Sequence, residues 1–156
     1  MRIIITLSLR EIYRERMIIA VDFDGTIVEH RYPEIGREIP FAIQTLKKLI
    51  EERHKLVLWS VREGQLLEEA VKWCKDRGVT FYAVNKDFPE EDVMHNIHFS
   101  RKLRVDMYID DKNVGGLPDW GVIYRIIHEH KTMAQVLSEE IEEDFTKKKK
   151  RRRWWF

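Results

Sequence analysis

Two aspartates stand at the end of an apolar run near the start of the sequence. Residues 18–23 are apolar apart from Asp22, and Asp24 follows two positions later, directly before Gly25. A continuous apolar run of this length is typical of a strand buried on both faces of a sheet. Glycine allows the backbone to turn sharply after such a strand and to approach a phosphate closely. The pattern therefore predicts two carboxylates at the end of a buried strand, where a phosphate can reach them.

Four more polar residues flank the other apolar runs: Ser60, Lys102, Asp110 and Asp111. Because parallel strands present their carboxyl ends at one edge of a sheet, we expect all these side chains to converge there. Carboxylates crowded together repel one another unless a cation lies among them, and hard oxygen ligands suit Mg²⁺ that keeps some of its water. A carboxylate can also attack phosphorus and form an aspartyl-phosphate. The set predicts Mg²⁺-dependent phosphoryl chemistry.

The segment DFDGT at positions 22–26 resembles the first motif of the haloacid dehalogenase superfamily of phosphotransferases. Ser60 is similar to the second motif, Lys102 to the third, and the pair Asp110-Asp111 to the fourth. The four occur in the order that the superfamily has, over most of the chain. The first motif is the most specific of them, and the serine and the lysine carry little weight alone.

The resemblance implies that Asp22 is the nucleophile and a metal ligand. It implies that Asp24 is the general acid and base and that its backbone carbonyl also binds Mg²⁺. Phosphatases and mutases of the superfamily carry an aspartate at the position of Asp24, whereas the dehalogenase branch does not. The expected activity is therefore hydrolysis of a phosphomonoester, not cleavage of a carbon–halogen bond.

The other motifs would complete the site. By the same resemblance, Ser60 and Lys102 hold the transferring phosphoryl group, and Asp110 and Asp111 ligate or orient the metal. The sequence leaves open which of the two aspartates binds the metal directly. The gaps between successive motifs are too short for a cap domain, although residues 27–39 have the length for a small flap over the site.

Apolar runs alternate with helical patterns along the chain, which predicts an α/β fold. We expect a Rossmann-like three-layer domain with a mainly parallel sheet of about five strands, no cap domain, and a fifth strand at 121–124. Thr132 followed by Gln135 has the form of a capping box and predicts a last helix.

The chain divides into three segments. Residues 1–16 are an unassigned extension, residues 17–146 form the hydrolase domain, and residues 147–156 are a basic and aromatic tail that we expect to be disordered. Seven of the 28 basic residues lie at 147–153, so the remaining chain is acidic on balance. Nucleic acid is accordingly a possible partner through the tail, by phosphate contacts and base stacking.

Composition points to the cytoplasm. Cys74 is the single cysteine and cannot form an internal disulfide, which fits a reducing compartment. No apolar stretch approaches the roughly 20 residues of a membrane helix, and no signal peptide is evident. We therefore expect no membrane partner, whereas homo-oligomerisation stays open.

The sequence leaves three alternatives to a phosphohydrolase open. A phosphotransferase or mutase would use the same aspartyl-phosphate, because other acceptors compete with water for it. The protein could instead bind a metal or phosphate without turnover, or bind nucleic acid through its tail. His95 and His98 have helical spacing for a metal, but no companion ligand is evident in the sequence, which favours loop histidines.

Overall fold

The computed structural model describes residues 16–92 and 100–153. Within them the strands are β1 (Ile18–Val21), β2 (Lys55–Leu58), β3 (Ala83–Val84) and β4 (Met107–Ile109). The helices are α1 (Ala42–Glu51), α2 (Gly64–Lys75), α3 (Trp120–His128) and α4 (Met133–Arg153). The predicted α/β class is confirmed. His95, His98, and the aromatic end of the tail lie outside the described residues, as does nearly all of the N-terminal extension.

The four strands form one parallel sheet in the order β3-β2-β1-β4. The last residue of β1, Val21, pairs with Leu58 of β2 and with Ile109 of β4, so the three strands end level with one another. After β1, strands β2 and β3 add to one side of the sheet, and β4 then pairs with the other side of β1. Strand order therefore reverses between β1 and β4, and ligands of open α/β sheets bind at such a point.

The expected fifth strand is wrong. The described sheet has four strands, and residues 121–124 lie within helix α3. A short apolar run does not by itself distinguish a strand from a buried helical segment. Here Trp120, Ile123 and Ile127 are buried at helical spacing, and the side chain of Asp119 caps the helix by accepting a hydrogen bond from the Gly121 amide at 2.7 Å.

Helices α1 and α2 are amphipathic and bury one face each. Ile43, Leu46 and Leu49 of α1 are buried, as expected from their spacing. In α2 the buried residues include Cys74, and burial raises the pKa of its thiol to about 12. A thiol that stays protonated is a poor nucleophile, so Cys74 is an inert core residue.

The chain forms two compact units, and their boundary lies between Leu117 and Pro118. This division falls within residues 17–146, which the sequence pattern predicted to be one domain. The second unit contains α3 and α4. Helix α4 opens with the predicted capping box, in which the Thr132 amide donates to Gln135 Oε1 at 2.8 Å and the Gln135 amide donates to Thr132 Oγ1 at 3.3 Å.

The described part of the basic tail belongs to a helix. Helix α4 continues to Arg153 and so includes residues 147–153. Lys147 and Lys148 form ion pairs with Glu143 and Asp144 one turn earlier, which supports helix in this segment. No helix in the described part of the chain is both long enough and apolar enough to cross a membrane.

Candidate functional site

The site is built on the turn that follows β1. The Asp22 amide donates to the Ile109 carbonyl at 2.9 Å and so extends the pairing between β1 and β4 by one residue. The Thr26 hydroxyl donates to Asp22 Oδ2 at 2.9 Å, and it accepts a hydrogen bond from the Asp111 amide at 3.0 Å. Thr26 is fully buried. This one hydroxyl therefore orients the Asp22 carboxylate and connects the ends of the two strands.

Three of the predicted acidic residues converge. Asp22, Asp110 and Asp111 each offer a carboxylate oxygen, and these oxygens lie within 4.8 Å of one another. All three residues are half-buried. Asp111 Oδ1 is buried without a hydrogen-bond partner among the described residues. Because buried polar atoms are nearly always paired, this oxygen is a candidate ligand for a cation.

Gly25 allows this close approach. Its φ is +92°, a conformation that other residues rarely adopt. A Cβ at this position would lie 2.5 Å from Asp111 Oδ2 and 2.8 Å from Asp111 Cγ. Glycine is thus required both by the backbone turn and by the carboxylate that packs against it.

The electrostatics of the cluster favour a bound cation. The pKa of Asp22 is raised to about 6, mainly by burial and to a smaller extent by the Asp110 and Asp111 carboxylates, against lowering by hydrogen bonds from Thr26 and the Phe23 backbone. Lys112 Nζ lies 2.5 Å from Asp111 Oδ2. That contact is the largest reason why the pKa of Lys112 lies above its ordinary value. One lysine offsets only part of the charge of three carboxylates.

Ser60 lines the same cleft, at the end of β2. The side chain of Asn85, which follows β3, forms hydrogen bonds with both the amide and the carbonyl of Ser60. The Ser60 amide donates to Asn85 Oδ1 at 2.8 Å, and Asn85 Nδ2 donates to the Ser60 carbonyl at 2.8 Å. The Ser60 hydroxyl accepts a hydrogen bond from the Arg62 amide at 3.2 Å. The serine is therefore fixed at the cleft by a neighbouring strand end.

Asp24 has a different environment from Asp22. Its side chain forms an ion pair with Arg62, in which Nε lies 2.6 Å from Oδ2 and Nη2 lies 2.8 Å from Oδ1. Asp24 is buried and Arg62 has no exposed surface. A guanidinium that binds both oxygens in this way suits an ionised carboxylate. Asp24 lines the cleft but does not belong to the three-carboxylate cluster.

The cleft is open and has a volume of about 260 Å³. One wall comes from a loop of residues 29–38, where the sequence suggested a flap. The base of the loop is closed by hydrogen bonds from the Glu29 amide to the Arg37 carbonyl at 2.7 Å and from the Ile39 amide to the Ile27 carbonyl at 2.9 Å. The loop contributes His30 to the cleft. The other lining residues are Asp22, Asp24, Trp59, Ser60, Val61, Asp110, Asp111 and Lys112.

The structure does not bring Lys102 to the cleft. Its side chain is exposed and does not line the cleft, whereas Lys112 does. Lys102 precedes β4, while Lys112 follows it and so lies at the carboxyl end of the sheet with the acidic residues. A cation directly after the pair Asp110-Asp111 was the available signal for Lys112. The order of the motifs in the sequence did not show at which end of β4 each lysine lies.

Arg62 and Asn85 were also missed. An arginine two positions after a strand-end serine is a weak signal, because most arginines are exposed. Asn85 adopts a positive φ of 53°, which asparagine tolerates better than most residues. Both act through contacts with residues far away in the sequence, and the sequence alone did not show those contacts.

The donor set of the cluster fits Mg²⁺. It consists of carboxylate oxygens, with an unpartnered buried oxygen on Asp111 and no sulfur or imidazole ligand within the cluster. Oxygen ligands in small number, with space for water and a phosphate, suit this ion. The expected ligands are Asp22, the backbone carbonyl of Asp24, and Asp110 or Asp111.

Comparison with solved structures identified a relative. The chain is similar to a conserved protein of Bacteroides thetaiotaomicron, with 64% sequence identity and a TM-score of 0.73, over 78% of this chain and 98% of the other. The chain belongs to the family of that protein. No protein-family model and no curated protein matches it. The Bacteroides relative is a conserved protein.

Proposed function

We propose that this protein is a Mg²⁺-dependent phosphohydrolase of the haloacid dehalogenase type, without a cap domain, that hydrolyses a phosphomonoester through Asp22. The observation that carries the proposal is the convergence of Asp22, Asp110 and Asp111 at the switch point of the sheet. Between Asp24 and Ser60 the chain forms only the 29–38 loop, α1 and β2, which supports the absence of a cap in that interval.

Asp22 has the position and surroundings of a nucleophile. The Thr26 hydrogen bond fixes the rotation of its carboxylate, and the open cleft lies directly before it. Attack on phosphorus forms a bond from an Asp22 oxygen to phosphorus and breaks the bond from phosphorus to the ester oxygen. Water then attacks the aspartyl-phosphate, releases phosphate and restores Asp22.

The charge on the transferring group needs compensation. Lys112 is the lysine that lines the cleft, so we assign to it the contact with phosphoryl oxygens that the resemblance gave to Lys102. The Ser60 hydroxyl is a second contact. Mg²⁺ bound by the acidic residues would supply further charge neutralisation on the phosphoryl oxygens. Together these groups leave phosphorus open to in-line attack.

Asp24 is the proposed proton donor and acceptor. It would protonate the leaving alcohol oxygen in the first half of the reaction and take a proton from water in the second half. Its pairing with Arg62 in the structure corresponds to the ionised form, which is the form needed in the second half.

The test is phosphate release from a panel of phosphomonoesters, with Mg²⁺ and with EDTA. Wild type is compared with Asp22→Asn and with Asp76→Asn, a control at an exposed aspartate paired with Lys72. We expect Mg²⁺-dependent turnover in wild type and in Asp76→Asn, and its loss in Asp22→Asn. An Asp22→Asn variant that retains turnover would contradict the proposal.

The same assay separates the alternatives. Turnover only when an alcohol or sugar acceptor is added would indicate a phosphotransferase or mutase. Stabilisation of wild type by Mg²⁺ without turnover on any ester would favour a protein that binds metal and phosphate. A nucleic-acid binder would show affinity that falls steeply with salt and disappears when residues 147–156 are removed.

A further inference from the structure

Arg62 is a fully buried charged side chain. Besides both oxygens of Asp24, it binds two backbone carbonyls. Nη1 donates to the Pro33 carbonyl at 2.9 Å, and Nη2 donates to the Glu34 carbonyl at 2.9 Å. A buried guanidinium is costly unless its donors are paired, and these four bonds pair four of its five N–H groups. The ion pair with Asp24 and the bonds to the two carbonyls therefore stabilise Arg62 in this buried position.

Two aromatic rings also lie close to the guanidinium. Its Cζ lies 5.2 Å from the centroid of the Phe23 ring and 5.3 Å from that of the Tyr32 ring. Phe23 belongs to the end of β1, and Tyr32 belongs to the 29–38 loop. Cation–π contact with these two rings thus adds to the hydrogen bonds of Arg62. Arg62 connects the strand that carries Asp22 to the loop that forms the cleft wall.

The loop depends on Arg62 at its tip. Its base is closed by backbone hydrogen bonds at Glu29 and Ile39. The tip is held by the bonds of Arg62 to Pro33 and Glu34. Because His30 reaches the cleft from this loop, the position of that wall follows from Arg62.

We propose that Arg62 is a positioning residue that holds Asp24 and the 29–38 loop as one unit, and so aims Asp24 at the oxygen of the leaving alcohol. The proposal rests on the phosphohydrolase function proposed above. Arg62 acts through Asp24 and the loop, without touching the reacting atoms itself.

The proton balance defines what Arg62 must do. In the first half, the bond from Asp22 to phosphorus forms, the bond to the alcohol oxygen breaks, and the proton of Asp24 passes to that oxygen. Asp24 becomes a carboxylate, which the guanidinium of Arg62 stabilises. In the second half, water attacks phosphorus, the bond to Asp22 breaks, and the water proton returns to Asp24.

The first experiment measures the loop without relying on activity. Amide hydrogen exchange in residues 29–39 is compared among wild type, Arg62→Lys and Arg37→Lys. Arg37 is a matched control, because it is an exposed arginine of the same loop that pairs with Glu29. We expect exchange about tenfold faster or more in Arg62→Lys, and within about threefold of wild type in Arg37→Lys. Unchanged exchange in Arg62→Lys would overturn the coupling of loop and Arg62.

A second variant tests the same coupling if Arg62→Lys does not fold. The double variant Arg62→Gln with Asp24→Asn leaves no unpaired charge in the interior, yet it removes the bonds from the guanidinium to the loop. The same acceleration of exchange is expected there. This readout decides the structural part of the proposal even when wild type hydrolyses none of the esters tested.

The second experiment compares two esters that differ in the leaving group. An alkyl phosphate needs a proton on its departing alkoxide, whereas p-nitrophenyl phosphate releases a stable phenolate without one. We expect Arg62→Lys to lower kcat for the alkyl ester about tenfold or more, and kcat for p-nitrophenyl phosphate less than about threefold. Equal losses of kcat on both esters would show that Arg62 has only a structural role, which would overturn the proposal. A faster reaction on the alkyl ester would show that Arg62 restrains Asp24, and would equally overturn the proposal.

Discussion

The hydroxyl of Thr26 lies 2.9 Å from Oδ2 of Asp22 and donates a hydrogen bond to it. The Thr26 hydroxyl oxygen itself accepts a hydrogen bond from the amide of Asp111, which is 85 positions later in the sequence. Four residues after the proposed nucleophile, a single buried side chain thus joins it to the acidic pair at the end of β4. The geometry of the three-carboxylate cluster depends on this link.

Replacing Thr26 by valine tests that link. Thr26→Val keeps the shape of the side chain, but it removes the hydrogen bond to Asp22 and leaves the Asp111 amide without this acceptor. We expect a loss of about 1 to 3 kcal/mol in the free energy of unfolding, because the partly buried Asp22 carboxylate and Asp111 amide each lose a hydrogen bond. Urea unfolding measures it, with Thr80→Val as the control at an exposed threonine. An effect no larger than that of Thr80→Val would argue against the link.

Replacing Gly25 by alanine tests the close approach to Asp111. The new Cβ would meet Asp111 Oδ2 at 2.5 Å, and the backbone would be held at a φ of +92°. We expect a destabilisation of about 1 to 3 kcal/mol and a weaker thermal shift on addition of Mg²⁺. Thermal unfolding with and without Mg²⁺ measures both. Gly115→Ala is the control, because no atom lies within 4 Å of a Cβ there.

The raised pKa of Asp22 predicts a pH dependence of stability in metal-free protein. Its pKa is about 6 in the folded chain against an ordinary 3.8, so the folded state holds the proton more tightly than the unfolded state. Asp22 therefore contributes stability below about pH 4, and this contribution is lost as the pH rises to about 6. We expect the loss to be about 1 to 2 kcal/mol, after allowance for the exposed part of the carboxylate.

The measurement is urea unfolding of wild type and Asp22→Asn in EDTA between pH 4 and pH 8. The free energy of unfolding of wild type should fall relative to that of Asp22→Asn over this range, so that the variant becomes the more stable protein above pH 6. Addition of Mg²⁺ should reverse the order at pH 7, because the ion binds the folded wild type. A difference that stays constant with pH would refute the assignment.

The two lysines near β4 give a direct comparison. Lys112→Met removes the positive charge beside Asp111, whereas Lys102→Met changes an exposed residue that does not line the cleft. We expect kcat/KM for a phosphomonoester to fall about 10- to 100-fold in Lys112→Met and to stay within about twofold in Lys102→Met. The opposite result would restore the role that the sequence resemblance gave to Lys102.

Much of the candidate site could be predicted because its signals are local. A buried strand ending in Asp22 and a second one ending in Asp110 and Asp111 are visible as apolar runs with acidic ends. Parallel strands bring such ends together whatever the details of the chain between them, so the cluster followed from the pattern. The capping box of Thr132 and Gln135 is equally local, and the structure confirms it.

The tertiary structure decided what depends on contacts between distant residues. The run at 121–124 became a helix because its buried side chains recur at helical spacing around a capped start, which a short apolar run does not reveal. The pairing of Asp24 with Arg62 spans 38 positions, and it depends on where the end of β2 meets the turn after β1. The sequence by itself determined which aspartates carry the negative charge of the site. Only the fold determined which lysine and which arginine lie beside those aspartates.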